Sequence, residues 1–224
     1  VKPERLTNNR KVYRDYWWQY AEKRPAMLKA ISGLERILVV ARVSKTGLPA
    51  FVPTGQVVSE ATVVFASDRN EDLAWLNSSI HYLWAITRGS SLKGDLRYTP
   101  SDIYETIPRP SSTSKLAIAG AELDQTRRSI MLHRKIGLTK LYNLVHDSCV
   151  NDRDVAELRA IHANVDRAVI DAYGWQDINE RHTFTANRQG QRFGLPVKVQ
   201  TEIIDRLLEL NHTQHTGEAS NLLF

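Results

Sequence analysis

The apolar positions of this chain change period along its length, and the changes mark its elements. From Arg36 the run Ile37-Leu38-Val39-Val40-Ala41-Arg42-Val43 is β-branched and nearly continuous, the pattern of a largely buried strand. Lys45-Thr46-Gly47-Leu48 supplies a turn into Ala50-Phe51-Val52-Pro53, and Thr62-Val63-Val64-Phe65-Ala66 predicts a further strand after a polar connection over 56–61. Between Asp68 and Ser90 the spacing is helical. Asp68 or Asn70 caps a helix through Leu73, Trp75 and Leu76, and after Asn77-Ser78 a second helix carries Ile80, Leu83, Trp84 and Ile86 to Gly89. Ahead of the strands, Pro25 suits the first turn of a short helix from Ala26 to Ser32, closed by Gly33.

Residues 108–115, Pro-Arg-Pro-Ser-Ser-Thr-Ser-Lys, form the sharpest break in composition, and beyond them the pattern is helical. Leu116, Ala119, Leu123, Arg127, Ile130 and Met131 recur at three and four residues up to Ile136-Gly137. A second helix, capped at Asn151 or Asp152, shows Val155, Leu158, Ile161, Val165 and Val169 on one face and ends at Tyr173-Gly174. A third starts at Pro196 and carries Val199, Ile203, Leu207 and Leu210, while Asn179 to Leu195 reads as a polar loop. The expectation is an α+β protein, with a mixed β-sheet domain over 1–110 and a small helical domain over 111–224.

Charge sharpens that division. The net charge is +5, and residues 1–110 hold 16 Lys+Arg against 11 Asp+Glu, whereas 111–224 hold 14 of each. All of the excess lies in the first part, which makes it the better candidate for a polyanion such as nucleic acid. Residues 1–24 crowd cations with aromatics (Lys11, Tyr13, Arg14, Tyr16, Trp17, Trp18, Tyr20, Lys23, Arg24). That suits either phosphate contact or anchoring of the indoles on a neighbouring domain. Arg127, Arg128, Arg134 and Lys135 give the first long helix a basic side, read as a solvated face or a backbone contact. The one cysteine, Cys149, excludes a disulfide framework and points to a reducing, cytoplasmic setting. No apolar run is long enough to span a bilayer, and the start at Val1 without methionine reads as that of a fragment.

The stretch that carries chemistry is Lys93-Gly94-Asp95-Leu96-Arg97-Tyr98-Thr99-Pro100. On one extended strand Lys93, Asp95 and Arg97 would share a face, presenting donor, acceptor and donor fork. Base edges in a DNA major groove offer the complement, guanine O6 and N7 accepting from Lys or Arg and the cytosine amino group donating to a carboxylate. The competing reading is a solvated face on which Asp95 pairs with one or both cations.

Leu76-Asn77-Ser78-Ser79, the Lys-x-Asp-x-Arg-Tyr-Thr strand and Ile107-Pro108-Arg109-Pro110 together resemble the target-recognition domain of adenine-N6 DNA methyltransferases. More narrowly, the chain is similar to the C-terminal end of single-chain restriction-modification enzymes of the MmeI type (type IIL, a branch of type IIG). The similarity runs from about Tyr16 to Asn211. Its later part rests on Gly137-Leu138-Thr139-Lys140-Leu141-Tyr142-Asn143-Leu144-Val145-His146-Asp147, Tyr173-Gly174-Trp175 and Leu207-Leu208-Glu209-Leu210-Asn211-His212.

The resemblance implies double-stranded DNA as partner and upstream methyltransferase and nuclease domains in the same polypeptide. It maps the family's base-reading positions onto Lys93, Asp95 and Arg97, with Glu60 and Ala61 as the nearest match to a further pair. Lys93 and Asp95 would jointly read one base pair and Arg97 a neighbouring purine. Lys11, Arg14, Arg42 and Lys45 are the candidate contacts to the DNA backbone. The family's glycine-rich S-adenosylmethionine motif, its Asn-Pro-Pro-Tyr-like motif and its nuclease acid-and-lysine site do not occur here. Catalysis, with S-adenosylmethionine and Mg, is therefore expected of other domains, and this chain itself takes no cofactor.

Other pairs are weaker. His146-Asp147 lacks the further ligands a metal-dependent phosphohydrolase needs, His212 and His215 lie near the chain end, Cys149 has no activating partner, and His81 reads as structural or surface-exposed. Two alternatives stay open. One is the separate specificity subunit of a type I system, which would show two recognition halves joined by long helices. The other is a scaffold module that binds protein and not DNA.

Overall fold

The computed structural model describes residues 2–19, 23–178, 181–187 and 190–221; Tyr20, Asn179 and the side chain of His215 lie outside the described parts. Two short helices, α1 (Lys2–Leu6) and α2 (Lys11–Asp15), precede α3 (Pro25–Ile31), where Pro25 fills the first turn as expected. Strands β1 (Arg36–Ala41), β2 (Val43–Ser44), β3 (Ala50–Pro53) and β4 (Thr62–Phe65) come next. Helices α4 (Asn70–Leu76) and α5 (Ser79–Arg88) lead into β5 (Ser90–Leu92) and β6 (Asp95–Arg97). The rest is α6 (Ser114–Arg134), α7 (Leu138–Val145), α8 (Arg153–Ala172), the strands β7 (Thr183–Asn187) and β8 (Gly190–Gly194), and α9 (Val197–Asn221).

The class is α+β. The sheet expected to be mixed is two three-stranded sheets, ordered β3-β1-β4 and β2-β6-β5, and every pairing among the described residues is antiparallel. Connections as short as the two residues between β5 and β6 can join only antiparallel neighbours. One strand run feeds both sheets. At Arg42 the backbone N–H donates to Ala61 O (2.8 Å), extending the β1–β4 pairing, while its carbonyl accepts from Tyr98 N (2.7 Å), extending β2–β6. Arg42 is thus the point at which the chain changes sheets.

The parts on either side of residue 110 share a continuous hydrophobic core that runs from Leu38 through Trp84 and Leu123 to Leu207. Helix α6 lies so close to the start of α4 that a Cβ at Gly120 would sit 1.9 Å from Asn70 O. Only glycine permits that approach.

Several local expectations change. Neither Asp68 nor Asn70 caps α4: Arg69 is its N-cap, and Ser67 Oγ accepts the Arg69 N–H (3.2 Å) while donating to Asp72 (2.5 Å). Ser78 caps α5 by accepting the His81 N–H, and Thr113 does the same for α6 through Leu116 N. The predicted polar loop before Leu195 contains the β7–β8 hairpin, where Phe184 faces Phe193 across the strands with ring centroids 5.3 Å apart. Arg127 is not on a solvated face. It is 1% exposed, and its Nη1 donates to Asn77 Oδ1 (3.0 Å). Arg134 pairs with Asp152 and Asp154. No helix among the described residues is long and apolar enough to cross a membrane.

Candidate nucleic-acid interface

The β5–β6 hairpin is built by a two-residue turn, Lys93-Gly94, between Leu92 and its cross-strand partner Asp95. Both turn residues have positive φ, 53° and 91°, the requirement of a type I′ turn whose twist matches the flanking strands. This corrects the expectation of one extended strand. Lys93 sits at the hairpin tip, and only Asp95 and Arg97 share a strand face. The opposite face seats the hairpin. Leu96 is buried against Gly47 and Gly89, whose missing side chains leave it room, and Tyr98 is buried with its hydroxyl 3.0 Å from His81 Nε2. Burial pushes His81 down to about 4, so its ring is neutral at pH 7, and raises the Tyr98 phenol.

Beside this hairpin lies a second short turn. Thr62 N donates to Ser59 O (3.1 Å) and Ala61 N to Ser59 Oγ (3.2 Å), which leaves Glu60 and Ala61 exposed at its centre. The same Arg42 that bonds Ala61 O also donates from Nε to Glu60 O (3.1 Å), and β2, which starts one residue later, pairs Val43 with Arg97. The structure therefore brings Glu60, Ala61 and Arg42 together at the Arg97 end of β6. Lys45 comes directly after Ser44, the partner of Leu96, on the tip of a turn in which Ser44 Oγ accepts from Thr46 N and Gly47 N (3.1 Å each).

Among the described residues, no ion pair engages Lys93, Asp95, Arg97, Glu60, Arg42 or Lys45. The alternative in which Asp95 neutralises its neighbours is not what the structure adopts. Lys11 and Arg14 stand apart. They lie on α2, where the Arg14 guanidinium donates to the Asn8 and Asn9 carbonyls, and no described hydrogen bond or ion pair ties either side chain to the hairpin. In the same segment Trp18 and Tyr16 are exposed, and the Lys2 ammonium lies over the Trp17 ring (4.9 Å).

Sequence reasoning missed the polar interior. Arg159 donates to four carbonyls, Leu144, Val145, Asp147 and Val150, at 2.6–3.0 Å, which closes the C-terminal end of α7. Asp166 accepts from Ser79 N (2.7 Å) and is 2.7 Å from His182 Nε2; Tyr142 Oη and His162 Nε2 are 2.6 Å apart. Ser79, Tyr142, His162 and His182 border a cavity of about 60 Å³ between α5, α7 and the β7–β8 hairpin. His146 caps α7 and accepts the Phe193 N–H at Nδ1, while Asp147 turns to the Cys149 N–H, so the two do not form a joint site. Among the described residues no group of three or more His, Cys, Asp or Glu is placed to hold a metal ion.

Two small antiparallel sheets joined through one strand are backed by helices and present, on a hairpin and an adjoining turn, charges without an ion pair among the described residues; the class is an α+β fold with an exposed polar edge. A solved structure of the type IIL restriction-modification enzyme MmeI in complex with DNA is similar to this chain, with a TM-score of 0.62 and 18% sequence identity over 96% of this chain. The chain spans 26% of the length of that MmeI chain. At this identity the likeness establishes the fold. No family model matches the sequence, and no curated protein does.

Proposed function

We propose that this chain is the sequence-specific double-stranded DNA recognition module of a bifunctional restriction-modification enzyme, an adenine-N6 DNA methyltransferase fused to an endonuclease. The observation that carries the reading is the β5–β6 hairpin, with Lys93 at its tip and Asp95 and Arg97 on one outward face, all without an ion pair among the described residues. Charges held on a two-residue-turn hairpin without an ion pair among the described residues are available for the edges of base pairs. Lys93 donates to a guanine, Asp95 accepts from its paired cytosine, and Arg97 reads a neighbouring purine. The Glu60-Ala61 turn, fixed to the same edge by Arg42, reaches an adjoining base, and Arg42, Lys45, Lys11 and Arg14 serve the phosphates.

In this reading S-adenosylmethionine and Mg belong to the upstream catalytic domains of a cytoplasmic parent enzyme. Holding the duplex in one register helps to offset the few kcal/mol that extruding an adenine costs. Support comes from the fold shared with the type IIL restriction-modification enzyme MmeI, solved in complex with DNA, and from the concentration of positive charge in residues 1–110.

The test is to map methylated adenines in cells expressing the full-length parent, native and with Lys93→Glu and Asp95→Lys combined. Methylation that persists with one base pair of its surrounding motif changed is the expected result. Methylation lost at every site would make the pair structural, and salt-sensitive binding to duplex DNA without sequence preference would favour a scaffold role.

A further inference from the structure

A second cationic feature lies at the seam between the β-rich part and the helices. An open groove of about 350 Å³ separates the Lys45 turn from the end of α7 and from β8. Lys45 is exposed, and Arg192 reaches across with Nη1 donating to Lys45 O (3.4 Å) while its guanidinium stacks on the Tyr82 ring (3.7 Å). Neither cation has an ion-pair partner among the described residues. Asn143 on α7 and Gln191 on β8, both exposed, add neutral polar groups to the same wall. Asn143 has no side-chain hydrogen bond among the described residues, and Gln191 Oε1 accepts from Ser148 N (3.2 Å).

Helix polarity should oppose an anion here, because the C-terminal end of α7 carries partial negative charge. The Arg159 guanidinium offsets it, donating to Leu144 O and Val145 O at that end and to Asp147 O and Val150 O just beyond. The field of these cations registers on His146, which borders the groove. Burial first, then Arg192, His162, Arg159 and Lys45, push its pKa down to about 2. The Phe193 N–H occupies Nδ1, so the neutral ring carries its proton on Nε2, a buried donor with no partner among the described residues. Among the described residues of the lining Asp147 is the single carboxylate, and it accepts from the Cys149 N–H.

We infer that this groove takes a backbone phosphate of duplex DNA, so that the helical part grips the same duplex whose bases the β5–β6 hairpin reads. Lys45 and Arg192 supply the charge, and the Asn143 and Gln191 amides supply neutral donors. The inference rests on the proposed DNA-recognition role and extends it to a surface formed by α7 and β8.

The experiment measures binding of the whole chain to a short mixed-sequence duplex across a salt series. The variants are Asn143→Lys, Asn143→Asp, Gln191→Lys, Lys45→Glu and, as a control outside the groove, Glu122→Lys. Asn143→Lys should tighten binding about fivefold, Asn143→Asp should weaken it by a similar factor, and the salt slope for Asn143→Lys should steepen by about one. Gln191→Lys should behave like Asn143→Lys. If Lys45→Glu weakens binding while position 143 and 191 variants move it no more than Glu122→Lys does, the groove is not a phosphate site and the hairpin reading stands. If the native chain does not bind duplex DNA, both fall. If inorganic phosphate alone protects the groove from heat unfolding but the DNA affinities do not move, the ligand is a free anion and the inference fails.

Discussion

The β5–β6 hairpin and the α7–α8 junction are built from similar charged residues and use them in opposite ways. At the junction Arg159 spends its guanidinium on four carbonyls, and Arg127, buried nearby in α6, bonds Asn77. On the hairpin, Lys93, Asp95 and Arg97 have no ion pair among the described residues, although alternation along the strand puts a carboxylate and a cation on one face. An interior cation must be satisfied, because leaving it bare costs far more than its bonds return. A surface charge carries no such demand, and its hydrogen-bonding capacity remains for another molecule.

The largest effect separating the two regions should come from removing one arginine from each. Arg159→Met leaves the last carbonyls of α7 without their donor and should cost about 3 kcal/mol or more, lowering the melting temperature by roughly 6–12 °C. Arg97→Met should change it by less than about 0.5 kcal/mol. Thermal unfolding of the two variants side by side checks this. Equal losses would mean that Arg97 has an internal role and would remove the contrast.

Acid should sharpen the same contrast. His81 and His162 are held down to about 4 and His146 to about 2, each chiefly by burial. Their ordinary value is 6.5, so below that pH the unfolded chain takes up protons that the folded chain refuses. Their contribution is therefore fully present above pH 6.5 and is lost as the pH falls toward 4. The slope is up to about 1.4 kcal/mol per pH unit for each ring. Melting temperatures measured from pH 7.5 to 4.5 should show the fall, and His81→Gln should make it shallower. A flat profile would show that these rings are solvated and that the interior is not a closed polar layer.

How much of the molecule was legible in its sequence is set by the same physics. The strands over Arg36–Ala41, Ala50–Pro53 and Thr62–Phe65 and the long helices were legible because each repeats apolar residues often enough to declare a period. The β7–β8 hairpin was not, since Phe184 and Phe193 are its only large apolar side chains and a period needs more than one member. Arg127 was half-visible. It falls four residues after Leu123 and three before Ile130, on the apolar stripe, and a cation in that position announces a buried partner that the sequence leaves unnamed. At the candidate site the residue types were readable, while the bend that moves Lys93 off the strand was hidden. Lys-Gly is not among the dipeptides that favour a two-residue turn.

That hidden bend gives the smallest effect and the most discriminating one. Lys93 holds φ 53°, a left-handed conformation that costs most residues roughly 1 kcal/mol and that asparagine adopts more readily. Lys93→Asn should therefore raise stability by a few tenths of a kcal/mol, read as a small upward shift of the denaturation midpoint, while removing the ammonium from the hairpin tip. In the parent enzyme the same change should loosen the methylation motif at one base pair. A lysine kept where asparagine would fold better is a residue whose worth lies outside the folded chain. If Lys93→Asn instead lowers stability, the lysine is making a contact within the protein, and the distinction between engaged interior arginines and an available hairpin no longer holds at its tip.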